Sequence, residues 1–352
     1  MAQTKSGILT PALLLDLDAF EANLARMMAQ VQKSGKKLRP HAKAHKCPEI
    51  SRRQIAAGAI GICVATLAEA EMMSRAGITG MLLTSPVAQA GKIARIIKTG
   101  AMVVVDHAIQ VELYQEAAQA AGISIDVLVD LDVGDHRTGA ASLQQALSIA
   151  EAADGASHLR LRGLQAYSVV GSHAAPGEER LRISRETFGL AAEVRDAMQR
   201  KGLSTEILSG GSTGTWQVDT ELPELTELQA GSFVLMDLAY ARAGLDFRHA
   251  MTVMATVISA NHQEFVTVDA GYKSFSTDRG YGPEALRLPG SRYRWGGDEF
   301  GYIDLNGNKL ALGDFVEFIP PHCDPTSNLY DTIYACRGER VESVWPVKRL
   351  RL

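Results

Sequence analysis

The segment Arg39-Pro40-His41-Ala42-Lys43-Ala44-His45-Lys46 concentrates side chains able to do chemistry: Lys43 stands at the expected C-terminal end of an early β-strand, with a histidine on either side. A lysine desolvated at a strand end loses basicity, and its amine becomes nucleophilic enough to form a Schiff base with a carbonyl. Lys46 competes for this role but lies three residues further into the loop. His41 and His45 read either as residues surrounding a bound group or as hydrogen-bonded histidines of the core or rim. A second pair, His322 and Asp324 in Pro321-His322-Cys323-Asp324-Pro325-Thr326, is two residues apart. In an extended segment both side chains then point one way and Cys323 the other. One imidazole nitrogen and one carboxylate suit Mn²⁺, Mg²⁺, Co²⁺ or Zn²⁺ alike, and water or substrate must complete the shell. Together the two motifs point to an enzyme that uses an aldehyde cofactor and a divalent metal.

Three further stretches carry candidate groups. Ser209 to Thr215 (SGGSTGT) is a turn rich in glycine and hydroxyls, whose amides could hold a phosphate in a backbone nest; a plain turn is the competing reading. Arg137, in the run DVGDHRTG, either neutralises its acidic neighbours or contacts an anionic group of a cofactor. Tyr167 closes a strand, where an aromatic ring can stack or hydrogen-bond.

The elements that must position these groups alternate. Strand-like runs are expected over Pro11–Leu17, Leu38–Lys43, Ile60–Ala65, Gly80–Thr84, Ala101–Val105, Ile125–Leu131, Leu159–Tyr167 and Thr205–Leu208, with amphipathic helices between them. Asp18-Ala19-Phe20-Glu21 reads as a capping box opening the first helix. About eight strands alternating with helices predict an α/β fold, a (β/α)₈ TIM-type barrel over residues 10–244. Active sites of such barrels lie at the C-terminal strand ends, where Lys43, Arg137, Tyr167 and SGGSTGT all fall. From residue 245 to 352, joined by residues 1–9, short strands separated by Gly, Asn and Pro turns predict a β-rich second domain carrying the His322/Asp324 pair.

A net charge of −4 argues against nucleic acid as the principal partner, and no apolar run approaches the ~18–20 residues that span a bilayer. The four cysteines form no CxxC pair, which suits a reduced cytoplasm.

RPHAKAHK together with PPHCDPT resembles the D-threonine aldolase and D-serine dehydratase group of pyridoxal 5′-phosphate (PLP) enzymes, supported by TPALLLDLDAFEANL, DVGDHRTG, GLQAY, SGGSTGT, LQAGSFVLMD and VDAGYKS. The resemblance spans nearly the whole chain. It implies the alanine-racemase-like fold, PLP fold type III, with a barrel followed by a β-domain. It implies Lys43 as the Schiff-base lysine, with Gly210, Gly211, Ser212, Thr213 and Thr215 near the phosphate and Arg137 and Tyr167 near the ring. It implies His322 and Asp324 as metal ligands, Mn²⁺ first among the metals, and His173 as a group near the metal and the substrate hydroxyl. The implied reaction is retro-aldol cleavage of a β-hydroxy-D-amino acid to glycine and an aldehyde, in a homodimer with its site near the interface. His-x-Asp, where the dehydratase branch has His-x-Cys, favours the aldolase. Phe300 replaces a histidine found in many relatives, which touches on the side-chain pocket. The rivals are a D-serine or 3-hydroxy-D-aspartate dehydratase and a 3-hydroxy-D-aspartate aldolase. A non-catalytic PLP carrier and a metal-dependent barrel hydrolase stand further off.

Overall fold

The computed structural model describes residues 4–174 and 176–348. Within these the chain divides into two compact units, one of residues 26–43 and 50–231 and the other of residues 4–25, 44–49 and 232–348. This division differs from the expected boundary at residue 244/245; residues 1–3 and 349–352 of the expected β-rich domain lie outside the described residues. Strand β1 (Ala12–Asp16) marks the largest difference. It pairs with strands of the β-rich unit and not with the barrel, antiparallel to one and parallel to another.

The barrel unit is built from β2 (Lys37–Leu38), β3 (Ile62–Val64), β4 (Met81–Leu83), β5 (Met102–Val105), β6 (Ile125–Leu131), β7 (Leu159–Ala166), β8 (Ile207–Gly210) and β9 (Glu227–Leu228). Every neighbouring pair is parallel, in the order β2-β9-β8-β7-β6-β5-β4-β3. A parallel bridge between His41 and Cys63 returns β3 to the end of β2, so the order closes on itself. The expected eight-stranded barrel is therefore present, with β9 taking the place that the sequence pattern assigns to β1. The apolar run of β1 is buried at four of its five positions, and such a run fits either sheet; two-residue β9 is too short to show a period.

Helices cover the barrel, and their ends follow side-chain chemistry. Thr66 accepts from Glu69 N at 3.2 Å to open Leu67–Arg75, and Ser142 accepts from Gln145 N at 3.2 Å to open Leu143–Asp154. The first helix, Leu17–Lys33, is capped differently from the expected box. Asp16 Oδ1 accepts from Ala19 N at 3.0 Å, one residue before the helix starts, whereas Asp18 lies inside the helix and pairs with Arg337. In β7, Gly163 has φ +138° at a register shift opposite β6, and a Cβ there would stand 1.9 Å from Ile207 O of β8. Only glycine fits a strand bulge with a neighbour that close.

The β-rich unit adds β10 (Met251–Ser259), β11 (Phe265–Val268), β12 (Glu284–Ala285), β13 (Arg292–Trp295), β14 (Gly301–Asp304), β15 (Phe315–Ile319), β16 (Thr332–Arg337) and β17 (Arg340–Pro346). With β1 they form one sheet ordered β13-β14-β11-β10-β1-β16-β17, with β15 pairing β10 and β12. No helix of the described residues is long and apolar enough to cross a membrane.

Closure of the barrel rests on a buried ion pair. Just beyond β2, Arg39 Nε and Nη2 each donate at 2.9 Å to the Glu227 carboxylate of β9, and Nη1 reaches Gly80 O. Arg39→Ala leaves Glu227 charged and buried, and is expected to cost about 3–5 kcal/mol of stability by denaturant unfolding. A loss below ~1 kcal/mol would show that closure does not depend on the pair.

Candidate functional site

A cavity of about 250 Å³ opens at the C-terminal ends of the barrel strands, lined by residues that include His41, Lys43, Thr84, Arg137, Gln165, Tyr167 and Gln229. Lys43 reaches it from a 3-10 turn, Ala42–Ala44, that follows β2; the expected strand Leu38–Lys43 is shorter than its pattern implies. Its Nζ stands 5.8 Å from the Tyr167 ring centroid, and Arg137 Cζ stands 5.1 Å from the same ring. Two cations and one aromatic face thus share one wall. The Lys43 backbone N–H donates to His41 Nδ1 at 3.3 Å, so the ring proton sits on Nε2, 3.1 Å from Thr84 Oγ1. The His41 ring is thus held through both nitrogens in the cavity wall.

Lys46 and His45 lie in the β-rich unit. Lys46 Nζ donates to Asp324 O at 3.3 Å and to Ser327 Oγ at 3.4 Å, fixing the 323–327 helix. Of the two lysines, only Lys43 lines the barrel cavity.

The loop after β8 is a tightly ordered turn. A Cβ on Gly210 would meet Ala166 O at 1.9 Å, and one on Gly214 would meet Ser172 O at 1.9 Å. Gly211 has φ +72°, and Ser212 Oγ lies 2.9 Å from Thr215 Oγ1. Beneath the loop, the fully buried Asp219 carboxylate accepts from Thr215 Oγ1 and from Ser212 N. Desolvation pushes Asp219 up to about 6, against the hydrogen bonds from Thr215 and Ser212 that lower it. Gly210, Gly211, Ser212, Thr213 and Thr215 are absent from the cavity lining, as is His173. His173 is exposed at the end of the short helix Val169–His173, whose Ser172 Oγ lies 3.0 Å from Tyr167 OH.

In the β-rich unit His322 stands just before the helix Cys323–Ser327, whose first N–H is taken by Asp237 Oδ2 at 2.8 Å, so the extended geometry expected for His322 and Asp324 does not hold. Asp324 Oδ1 accepts from Ser232 Oγ at 3.2 Å and from Cys323 Sγ at 3.3 Å. Cys323 is buried, and desolvation with the Asp237 and Asp324 charges pushes its thiol far up. His322 Nδ1 meets Asp278 Oδ2 at 2.7 Å. Desolvation raises the Asp278 carboxyl, but the His322 hydrogen bond and charge, with Arg279, bring it below its ordinary value.

The donor types fit a divalent cation. Asp278 on Nδ1 would leave Nε2 to coordinate, the usual arrangement for a metal-binding histidine. A cation there would displace Arg279 Nη2, which lies 3.5 Å from Nε2. Among the described residues no three His, Cys, Asp or Glu side chains gather for a metal, so water or substrate would supply the other ligands. A PLP site fits the barrel cavity through the amine of Lys43, the Tyr167 ring and the Arg137 charge. Thr84 and Gln229 are lining residues that sequence reasoning missed. Each directly follows a short parallel strand, and strand-end position was the one available signal.

Residues 15–239 match the family described as "Alanine racemase, N-terminal domain", and residues 250–336 match "Putative serine dehydratase domain". The chain belongs to the alanine-racemase-like family of barrel-plus-β-domain proteins. Within that family it is similar to the D-threonine aldolase of Arthrobacter sp, 37% identical over 96% of this chain and 92% of the relative. It is also similar to the 3-hydroxy-D-aspartate aldolase of Paracoccus denitrificans (strain Pd 1222), 33% identical over 97% and 92% respectively. The crystal structure of D-threonine aldolase from Filomicrobium marinum superposes with a TM-score of 0.95, at 36% identity, covering 99% of this chain and 96% of that one.

Asp219 makes the unit's stability depend on pH. Its carboxyl holds a proton more tightly when folded, at about 6 against 3.8 in its ordinary state. The stability it contributes is therefore complete below about pH 4 and lost as pH rises through about 6. Asp219→Asn should gain stability relative to wild type by on the order of 1–3 kcal/mol between about pH 4 and pH 7. Unfolding midpoints followed across that range check it; a difference that stays flat with pH would contradict the assignment.

Proposed function

We propose that this protein is a PLP- and divalent-metal-dependent carbon–carbon lyase that cleaves β-hydroxy-D-amino acids of the D-threonine type to glycine and an aldehyde. The observation that carries the reading is the placement of Lys43 on the cavity at the barrel strand ends, beside Tyr167 and Arg137. The aldolase names of the relatives at 37% and 33% identity support the reaction class.

In this reading Lys43 holds the cofactor through its amine, and Tyr167 and Arg137 flank the ring. Gly210, Gly211, Ser212, Thr213 and Thr215 receive the phosphate. Bound PLP supplies an electron sink for the pair left when Cα–Cβ breaks. His322 and Asp324 hold the cation, Mn²⁺ first and Mg²⁺, Co²⁺ or Zn²⁺ after it, whose Lewis acidity would acidify a hydroxyl bound to it. His173 takes the proton of the β-hydroxyl. The motif resemblance favours a homodimer, and four cysteines without a CxxC pair favour the cytoplasm. The Paracoccus relative makes 3-hydroxy-D-aspartate, with glyoxylate as the aldehyde, the second substrate to try.

The reading is tested by giving D-threonine to the protein reconstituted with PLP and Mn²⁺, with and without EDTA, and quantifying glycine, acetaldehyde and ammonia. Glycine and acetaldehyde that disappear with EDTA are expected; ammonia with 2-oxobutyrate would make the enzyme a dehydratase. His173→Ala should lower turnover by roughly 10²–10⁴-fold with PLP content retained. An unchanged rate would move the proton acceptor elsewhere.

A further inference from the structure

The β8 loop is backed by a short chain of hydroxyls that ends on one titratable group. Ser212 Oγ lies 2.9 Å from Thr215 Oγ1, and the Thr215 hydroxyl donates to Asp219 Oδ2. An ionised carboxylate accepts and never donates, so the Thr215 hydrogen is committed inward and Ser212 is the donor of the 2.9 Å pair. The other contacts of the two hydroxyls are N–H donors. Thr215 N reaches Ser212 Oγ at 3.3 Å, and Ser212 N reaches Thr215 Oγ1 at 3.2 Å. A hydroxyl oxygen accepts these whichever way its own hydrogen turns, and no carbonyl among the described residues fixes either hydroxyl. The carboxylate alone sets the direction.

Asp219 is 1% exposed, and its Oδ1 meets no protein donor in hydrogen-bonding geometry among the described residues. With Ser168, Ser184 and Thr187 it borders a space of about 10 Å³, in which Asp219 is the one titratable lining group. Charged groups of the neighbouring elements are engaged or turned elsewhere. Arg180 of the helix Glu178–Arg200 donates to Ala174 O at 2.8 Å, and Asp135 accepts from Ser168 Oγ at 2.9 Å. Arg182, Arg185 and Glu186 of that helix are exposed, as is His173. Without a counter-charge, desolvation pushes the Asp219 carboxyl up to about 6, so it gains and loses its proton near neutral conditions.

A proton taken from solvent onto Oδ2 reverses the chain. Asp219 then donates to Thr215 Oγ1, Thr215 donates to Ser212 Oγ, and the Ser212 hydrogen is released as a donor. An anion held by the loop gains that donor and loses the negative charge behind it. We propose that Asp219 is a positioning residue for the anion site of the β8 loop: by taking up or giving up a proton it turns the Ser212 hydroxyl toward a bound phosphate-type dianion or away from it. The inference rests on reading this loop as the phosphate site. It adds that the site binds its dianion together with a proton, and names the buried group that receives it.

Inorganic sulfate is the probe, because it stays a dianion across the range and brings no titration of its own. Its binding to the full-length protein is measured by equilibrium dialysis at constant ionic strength, at about pH 5.5 and about pH 8, either side of the Asp219 transition. Wild type should bind roughly tenfold more tightly at the lower pH, the worth of one hydrogen bond to a charged group. Asp219→Asn removes the titrating group, and its affinity should change less than about threefold over the same range. Ser212→Ala separates orientation from charge. It should cost roughly tenfold at the lower pH, where the hydroxyl faces the ion, and less than about twofold at the higher, where it is turned inward. A merely structural hydroxyl would cost the same factor at both. An equal Ser212→Ala loss at the two pH values, or a pH dependence that Asp219→Asn retains, overturns the proposal. Wild type that binds no sulfate at either pH refutes the loop as an anion site, and the inference with it.

Discussion

The barrel depends on closing at its shortest strands. β2 and β9 are two residues each, and their two paired positions could not hold a barrel seam against chain entropy alone. The seam is held by Arg39 and Glu227, buried together and bonded through two nitrogens to two oxygens. An ion pair out of water is costly to form, so it contributes register more than raw stability. Here that register matters, because Lys43 follows Arg39 by four residues and its turn leads directly off the seam.

The same seam carries the polar wall of the cavity. His41 bridges to Cys63 on β3, and its ring is held between the Lys43 amide and Thr84, just beyond β4. Further round, Gln165 and Gln229 continue the polar lining across β7 and the end of β9, and Asp130 of β6 accepts from Gln165 behind it. The NH₂ groups of both glutamines are bonded twice over, since an orphaned buried donor would cost more than the bond is worth. The β8 loop uses a different device: glycines at 210 and 214 let backbone pass where a Cβ would strike a carbonyl at 1.9 Å.

Much of this was legible in the sequence. The β/α alternation predicts the barrel because helical and strand periods differ, and β6 runs over Ile125–Leu131 as its pattern predicts. The motif lysine was legible because strand-end position carries chemical meaning in this architecture. Three things were not. β1 could not be assigned to a sheet, because an apolar run buried on both faces carries no partner information. The turn at Cys323–Ser327 was hidden because His-x-Asp spacing says nothing about Asp237, 86 residues away, which accepts from the helix's first N–H. Asp278 beside His322 and Asp219 beneath the β8 loop depend on long-range packing or on a turn geometry that no local spacing signals.

The central claim is that Lys43, and not the neighbouring Lys46, carries the cofactor. It is tested most directly by reducing the PLP-loaded protein with borohydride, digesting it and locating the pyridoxyl group by mass spectrometry. A label on Lys43 alone is predicted, because Lys43 lines the cavity while the Lys46 amine is committed to Asp324 O and Ser327 Oγ. A label on Lys46, or none on either lysine, would contradict the account.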